Sequence, residues 1–292
     1  MSKKKKFGDR RDARKIKMPA MMRLLTYITN RQEAMVYINR KLDVTELVKY
    51  MKEKKKKNSD LTYFHAFSIA IAKVIYNRPK LNRYIINHKC YERNDVILTF
   101  TAKVNYSDDA KEVMSLIKVD KNDNIFTLSD KIKEKVDNFR KKNNQNKSDD
   151  SLDALDKLPG WMLKFFVAPI FKFMDRHDLL PKSLNDDLLY NSTVILSNLG
   201  SIKCGAIYHH LTNFGTNSIL ITMGEIHQEV VVINGKQEIR DIVEFGINLD
   251  ERIADGVYFS KAINLLDYIF KNPKSLEENA DERIEEKENF KY

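Results

Sequence analysis

The sequence predicts an α/β protein, a two-layer sandwich in which a mixed β-sheet is covered by helices. Three observations carry this. Apolar β-type runs recur along the chain and crowd into its last third. Helical stretches with an apolar side separate them. The 292 residues are 42% hydrophobic and 32% charged, which is enough apolar material for a full core. That composition excludes global disorder, and nine Gly with six Pro exclude a collagen-like or linker-dominated chain.

Residues 3–17 (KKKKFGDRRDARKIK) hold nine Lys/Arg against Asp9 and Asp12, so +7 of the net +10 is concentrated there. The rest of the chain is nearly balanced. A basic N-terminal arm over 1–29 is therefore expected. It is either solvated or packed on the body or a neighbouring subunit, with nucleic acid or an anionic membrane as less favoured partners of residues 3–17. Glu33–Arg40 alternates like a strand, with Met35, Tyr37 and Asn39 on one face. Asp43 opens a helix, and Glu46 completes a capping-box pattern. Thr62–Asn77 is apolar on most of its surface and predicts a buried helix that ends at Arg78-Pro79.

Strands are expected at Tyr84–Ile86, Val96–Val104 and Val113–Val119, followed by an exposed helix over Ser129–Arg140. Residues 141–150 (KKNNQNKSDD) read as a polar loop. Leu158–Leu180 is the most apolar stretch, but Lys164, Pro169 and Lys172 interrupt it, so it does not read as a transmembrane helix. A buried helix pair, an acyl-channel wall and an interfacial helix are all compatible, and burial is the expectation. The last third reads as strands at Thr193–Asn198, Ser218–Met223, Glu229–Ile233, Lys236–Asp241 and Val243–Leu249, with a type I′ hairpin at Asn234-Gly235. An amphipathic helix follows Asp255-Gly256, and 274–292 forms an acidic tail that is either a peripheral helix or frayed.

No P-loop, dinucleotide glycine motif or zinc-spaced cluster is present, so no metal is expected. Cys90 and Cys204 form no CxxC pair and no signal peptide is visible, so a reducing cytoplasm is the expected compartment. Two segments stand out. Leu196-Ser197-Asn198-Leu199-Gly200 closes a strand. Asp250-Glu251-Arg252-Ile253-Ala254-Asp255-Gly256 places several ionisable groups at a strand–turn–helix junction, where sites are often built.

These segments resemble the catalytic domain of the 2-oxo acid dehydrogenase acyltransferases, which shares its fold with chloramphenicol acetyltransferase. Ser197–Gly200 matches that family's SNLG segment, Asp250–Gly256 its D-H-R-x-x-D-G segment, and Pro79-Lys80-Leu81-Asn82 its P-x-L-N helix ending. The resemblance covers roughly 30–273, without the family's lipoyl and subunit-binding modules. It implies a homotrimer with sites between subunits, a coenzyme A thioester as co-substrate, and an acceptor thiol, hydroxyl or amine. A lipoyl domain supplied by another protein stays open as a partner.

Position by position, the resemblance gives Ser197 the oxyanion-binding role and Asp255 a structural one. The family's catalytic histidine falls on Glu251. Imidazole has a pKa of about 6.5, whereas a glutamate starts at about 4.3 and needs burial to work as well as a base. His209 and His210, in a loop near the family's active-site channel, are alternative bases or else plain loop residues. His65, on the buried helix, reads as a core histidine. Two functions follow: an acyltransferase that uses Glu251 or His209/His210, or a catalytically silent trimeric scaffold or ligand-binding relative.

Overall fold

The computed structural model describes residues 9–56, 60–103, 112–141, 158–181, 188 and 190–285. The lysines at 3–6, the polar run at 142–150 and the last residues of the tail, three features of the sequence reading, lie outside the described residues.

The main sheet orders its strands β2 (Met35–Asp43), β10 (Lys236–Asp250), β8 (Ile219–Met223), β7 (Val194–Asn198), β5 (Val96–Lys103), β6 (Glu112–Val119). It is mixed: β7 runs parallel to both β5 and β8, and the other pairs are antiparallel. The two strands expected at Lys236–Asp241 and Val243–Leu249 are one 15-residue strand. Its first half pairs with β9 (His227–Ile233) across Asn234-Gly235, where both residues take positive φ as a type I′ turn requires. Its second half lies inside the sheet. A separate three-stranded sheet orders β1 (Ala13–Ile16), β4 (Lys89–Arg93) and β3 (Arg83–Ile86).

Alternation along the strands decides which face is covered. Val243, Phe245, Ile247 and Leu249 of β10 join Ile219, Ile221 and Met223 of β8 and Val194 and Leu196 of β7 in the core. Four helices cover that face: α2 (Thr45–Lys55), α3 (Tyr63–Asn77), α4 (Ile125–Lys141) and α6 (Gly256–Lys271), with the centre of α3 buried on all sides. The other face presents Ser197, Thr222, Gly246 and Asn248. The segment 204–213 crosses it. Gly246 permits the crossing, because a Cβ there would lie 2.4 Å from the Ile207 carbonyl oxygen.

Several local expectations are corrected. The capping box at Asp43 and Glu46 does not form. Val44 occupies the cap position, and the Asp43 carboxylate accepts bonds from the Thr45 amide and hydroxyl. Strand β4 was not anticipated, since its alternation is broken by charges. Over Lys274–Glu285 the tail is docked rather than peripheral. Leu276 and Ala280 are buried, and the Lys73 ammonium, inside the core, donates to the Glu278 and Asn279 carbonyls.

Leu158–Leu180 is also corrected. It forms a continuous helical segment, Gly160–Met162, Leu163–Val167 and Ala168–Arg176, here called α5. Its Trp161, Phe165, Phe166, Ile170 and Phe173 are all more than half exposed. The buried side is the narrower one, carrying Asp175 and the half-buried Met162, Val167 and Phe171.

From residue 9 onward the basic arm is part of the body. The Arg10 and Arg93 guanidiniums, both buried, pair with Asp12, and Arg10 also donates to the Asp175 carbonyl. β1 adds itself to β4, and α1 (Ala20–Ile28) follows.

His65 stands at the third position of α3 in a reciprocal capping box. Its amide donates to the Thr62 hydroxyl, and its Nδ1 accepts from the Thr62 amide and lies 3.0 Å from the Ser129 hydroxyl. Burial, helped by Lys133, pushes its pKa down to about 4. The folded protein thus holds the neutral ring, while the unfolded chain takes a proton below about pH 6.5. Stability is complete above that pH and should fall by roughly 2–3 kcal/mol as pH drops toward 4. His65→Gln keeps the capping geometry and removes the titration. Urea midpoints at pH 7.5 and 5.0 should separate strongly for the wild type and much less for the variant. An equal separation would place the titration elsewhere.

Candidate active site

The turn Asp250–Gly256 is anchored by buried charge. The Asp250 carboxylate is fully buried and takes both Nε (2.8 Å) and Nη2 (2.7 Å) of Arg252, while the Arg252 amide donates to its Oδ1. Arg252 reaches the Thr29 carbonyl with Nη1, and Arg31 approaches Asp250 at 3.9 Å. Arg31 is itself buried and donates to the carbonyls of Thr212, Phe214, Ile85 and Gly215. Burial pushes its pKa down to about 10 in spite of Asp250. One carboxylate therefore holds two arginines, which between them hold α1, the 212–215 loop and the turn.

This arrangement decides the state of Glu251. Arg252 is committed to Asp250, and no ion pair to Glu251 occurs among the described residues. The Glu251 amide donates to the Ala34 carbonyl, and its side chain is exposed on the single chain. It opens on a cleft of about 790 Å³ between α1, β2 and the start of α6. Lys17, Arg40, Lys80 and Arg83 line that cleft with Glu251 and Asp255.

Asp255 caps α6, its carboxylate accepting from the Tyr258 amide at 2.9 Å. That bond, with Lys80 nearby, holds its carboxyl below the usual range. The Tyr258 hydroxyl accepts from the Lys80 amide, and the Arg78 and Lys80 side chains lie over its ring. The junction read as P-x-L-N and the DERIADG turn are thus packed against each other.

Ser197 lies elsewhere in the chain. It is half-buried near the end of β7 and pairs with Thr222 of β8. At the other end of β8, Ile219 pairs with Leu249, and the Asp250 amide donates to Ser218. Thr222 to Ser218 spans about 13 Å along the strand, and β7 to β10 about 10 Å across the sheet. Ser197 and Asp250 of one chain are therefore on the order of 16 Å apart, and Glu251 lies one residue beyond.

Segment 204–213 runs between these two ends. Thr222 exchanges hydrogen bonds with Ile207, Asn248 donates to the His209 carbonyl, and the Leu211 amide meets Met35 Sδ. His209 and His210 are exposed on this segment. His209 Nδ1 accepts from the His210 amide at 2.9 Å, and neither ring lines the cleft.

Residues 178–277 match the model of the 2-oxoacid dehydrogenases acyltransferase (catalytic domain) family, a span that contains Ser197, His209, His210, Glu251 and Asp255. The chain is similar in structure to a probable dihydrolipoamide acetyltransferase of Listeria monocytogenes 4b F2365, at 17% identity and TM-score 0.57, over 89% of this chain and 94% of that one. It has the fold of the 2-oxo acid dehydrogenase acyltransferase catalytic domain. The dihydrolipoamide acetyltransferase of Azotobacter vinelandii aligns at TM-score 0.59 and 14% identity, over 88% of each chain. So does the cubic core of a pyruvate dehydrogenase multienzyme complex, at TM-score 0.57 and 14% identity, again over 88% of each chain. A comparison with curated proteins finds no match.

Within this acyltransferase fold, sequence reasoning missed Arg31 and the cations Lys80 and Arg83 that line the cleft. Lys80 lies inside the P-x-L-N segment and was within reach. Arg31 carries no local signal, because the carbonyls it donates to lie 54 to 184 positions away and Asp250 lies farther still.

Asp250→Asn would leave the buried Arg252 and Arg31 guanidiniums without their carboxylate. A loss of about 3–5 kcal/mol is expected, read as a lower urea midpoint. A midpoint within error of wild type would show that the pair does not hold the turn.

Proposed function

We propose that the chain is a coenzyme A thioester-dependent acyltransferase whose sites form between subunits, Ser197 from one protomer facing Glu251 from the next. The observation that supports this is the Asp250–Arg252 pair. It spares Glu251 from the neighbouring arginine and leaves its carboxylate free at the mouth of a cleft, while Ser197 of the same chain is far away. A homotrimer supplies the missing half. The cubic core among the similar structures is an assembly of many chains, which accords with an oligomer.

The Azotobacter vinelandii enzyme has had a serine, a histidine and an asparagine probed for roles in its catalytic mechanism, the asparagine four positions after the histidine. Asp255 stands four positions after Glu251, so the spacing supports Glu251 in the histidine's place. In the reaction, Glu251 takes the proton from an acceptor thiol, hydroxyl or amine as the acceptor's heteroatom bonds to the thioester carbonyl carbon. Ser197 donates a hydrogen bond to the resulting oxyanion. The carbon–sulfur bond then breaks, and the proton held by Glu251 passes to the coenzyme A thiolate. Lys17, Arg40, Lys80 and Arg83 offer the anionic co-substrate a positive lining.

A panel of acyl-coenzyme A donors and thiol, amine and alcohol acceptors, followed by release of free coenzyme A, tests this reading. Ser197→Ala should lower kcat/KM by about 10²–10³, and Glu251→Gln should lower kcat at least as far. Full activity in either variant contradicts the assignment. Calorimetric binding of coenzyme A without any turnover would identify the silent, ligand-binding relative, the reading favoured by the exchange of imidazole for carboxylate.

A further inference from the structure

α5 is amphipathic in an unusual way. At about 100° per residue, a regular helix would put Phe166, Ile170 and Phe173 roughly 120–180° around from Trp161. The turn Leu163–Val167 is instead a π-helix. It accommodates about one extra residue, and such turns are frequent at functional sites. The insertion rotates the second half of α5 back, so that Trp161, Phe165, Phe166, Ile170 and Phe173 share one exposed stripe.

Charge then selects what this stripe meets. Lys164, Lys172 and Arg176 are exposed along one side of it. The one acidic residue between 160 and 176, Asp175, is buried on the opposite side beside Arg10. Every exposed charge on the helix is thus positive. α1 continues the pattern across a cleft of about 700 Å³ lined by Tyr27, Ile28, Phe171 and Lys172. Its Met21, Leu24, Tyr27 and Ile28 are exposed, and its single charged residue is Arg23. Aromatic and aliphatic side chains on one face, with cations as the only exposed charges on the two helices themselves, are the composition of a helix that lies in a bilayer interface. Among the described residues no helix is long and apolar enough to span a membrane.

We propose that α5, aided by α1, seats the protein on an anionic phospholipid surface. The aromatic stripe enters the headgroup boundary, and Lys164, Lys172 and Arg176 meet lipid phosphates. This assignment is independent of the acyl-transfer reading.

Trp161 is the chain's single tryptophan, so its fluorescence reports directly. The full-length wild-type protein, mixed with phosphatidylcholine vesicles containing about a third phosphatidylglycerol, should show blue-shifted Trp161 emission and float with the vesicles. Pure phosphatidylcholine should bind more than tenfold more weakly, and rising salt should weaken the anionic binding. The pair Phe165→Ser with Phe166→Ser, and the triple Lys164→Gln, Lys172→Gln and Arg176→Gln, alter exposed positions and should each reduce binding more than tenfold with unchanged far-UV circular dichroism. Unchanged Trp161 emission with anionic vesicles overturns the proposal. So does emission that is already blue-shifted without lipid and moves red on dilution, which would mean that another copy of the chain covers this face.

Discussion

The register of three strands sets the terms for the whole molecule. β8 pairs with β7 through Thr222 and Ser197, and with β10 through Ile219 and Leu249. Because a strand advances about 3.3 Å per residue, these pairings put the SNLG end and the DERIADG end at opposite margins of one sheet. Slipping β7 by one residue would turn Ser197 into the core and Leu196 out of it, so burial of the alternating set enforces the register. A single chain thus carries its two motif segments facing different directions.

Buried charge fixes what the register leaves loose. Asp250, Arg252 and Arg31 tie the turn to α1 and to the 212–215 loop, and Asp12 ties Arg10 and Arg93 to the arm. Each carboxylate serves two buried guanidiniums, so these acids hold more than their own neighbourhood. The consequence for Glu251 is indirect. Its neighbour Arg252 is spent on Asp250, and the Glu251 carboxylate is left facing the cleft. Segment 204–213 runs between the two motif segments over the sheet's open face. Gly246 gives it room, and Thr222 and Asn248 hold it.

Period and composition made the scaffold readable from sequence. The two-residue alternation of Val243–Leu249, the Asn-Gly turn and the apolar run of α3 each carry a local signal that the structure reproduces. So does the capping Asp255. The SNLG and DERIADG segments were readable as motifs, but their separation was not, since strand register is a long-range property. The failures have physical causes. Lys73 and Arg31 are charged residues in the core, satisfied by carbonyls from distant loops that no local pattern reveals. The aromatic content of Leu158–Leu180 pointed to burial, whereas a π-turn gathers those rings on the outer side of α5. The basic arm read as an electrostatic feature, yet Arg10 is a core residue.

Subunit mixing tests the shared site most directly. Ser197→Ala and Glu251→Gln chains, differently tagged and co-assembled in equal amounts, would pair randomly. If each site draws Ser197 from one protomer and Glu251 from another, roughly a quarter of the sites in the mixture are intact, and about that fraction of wild-type turnover should return. A mixture no more active than the two variants measured apart would contradict a site built across subunits.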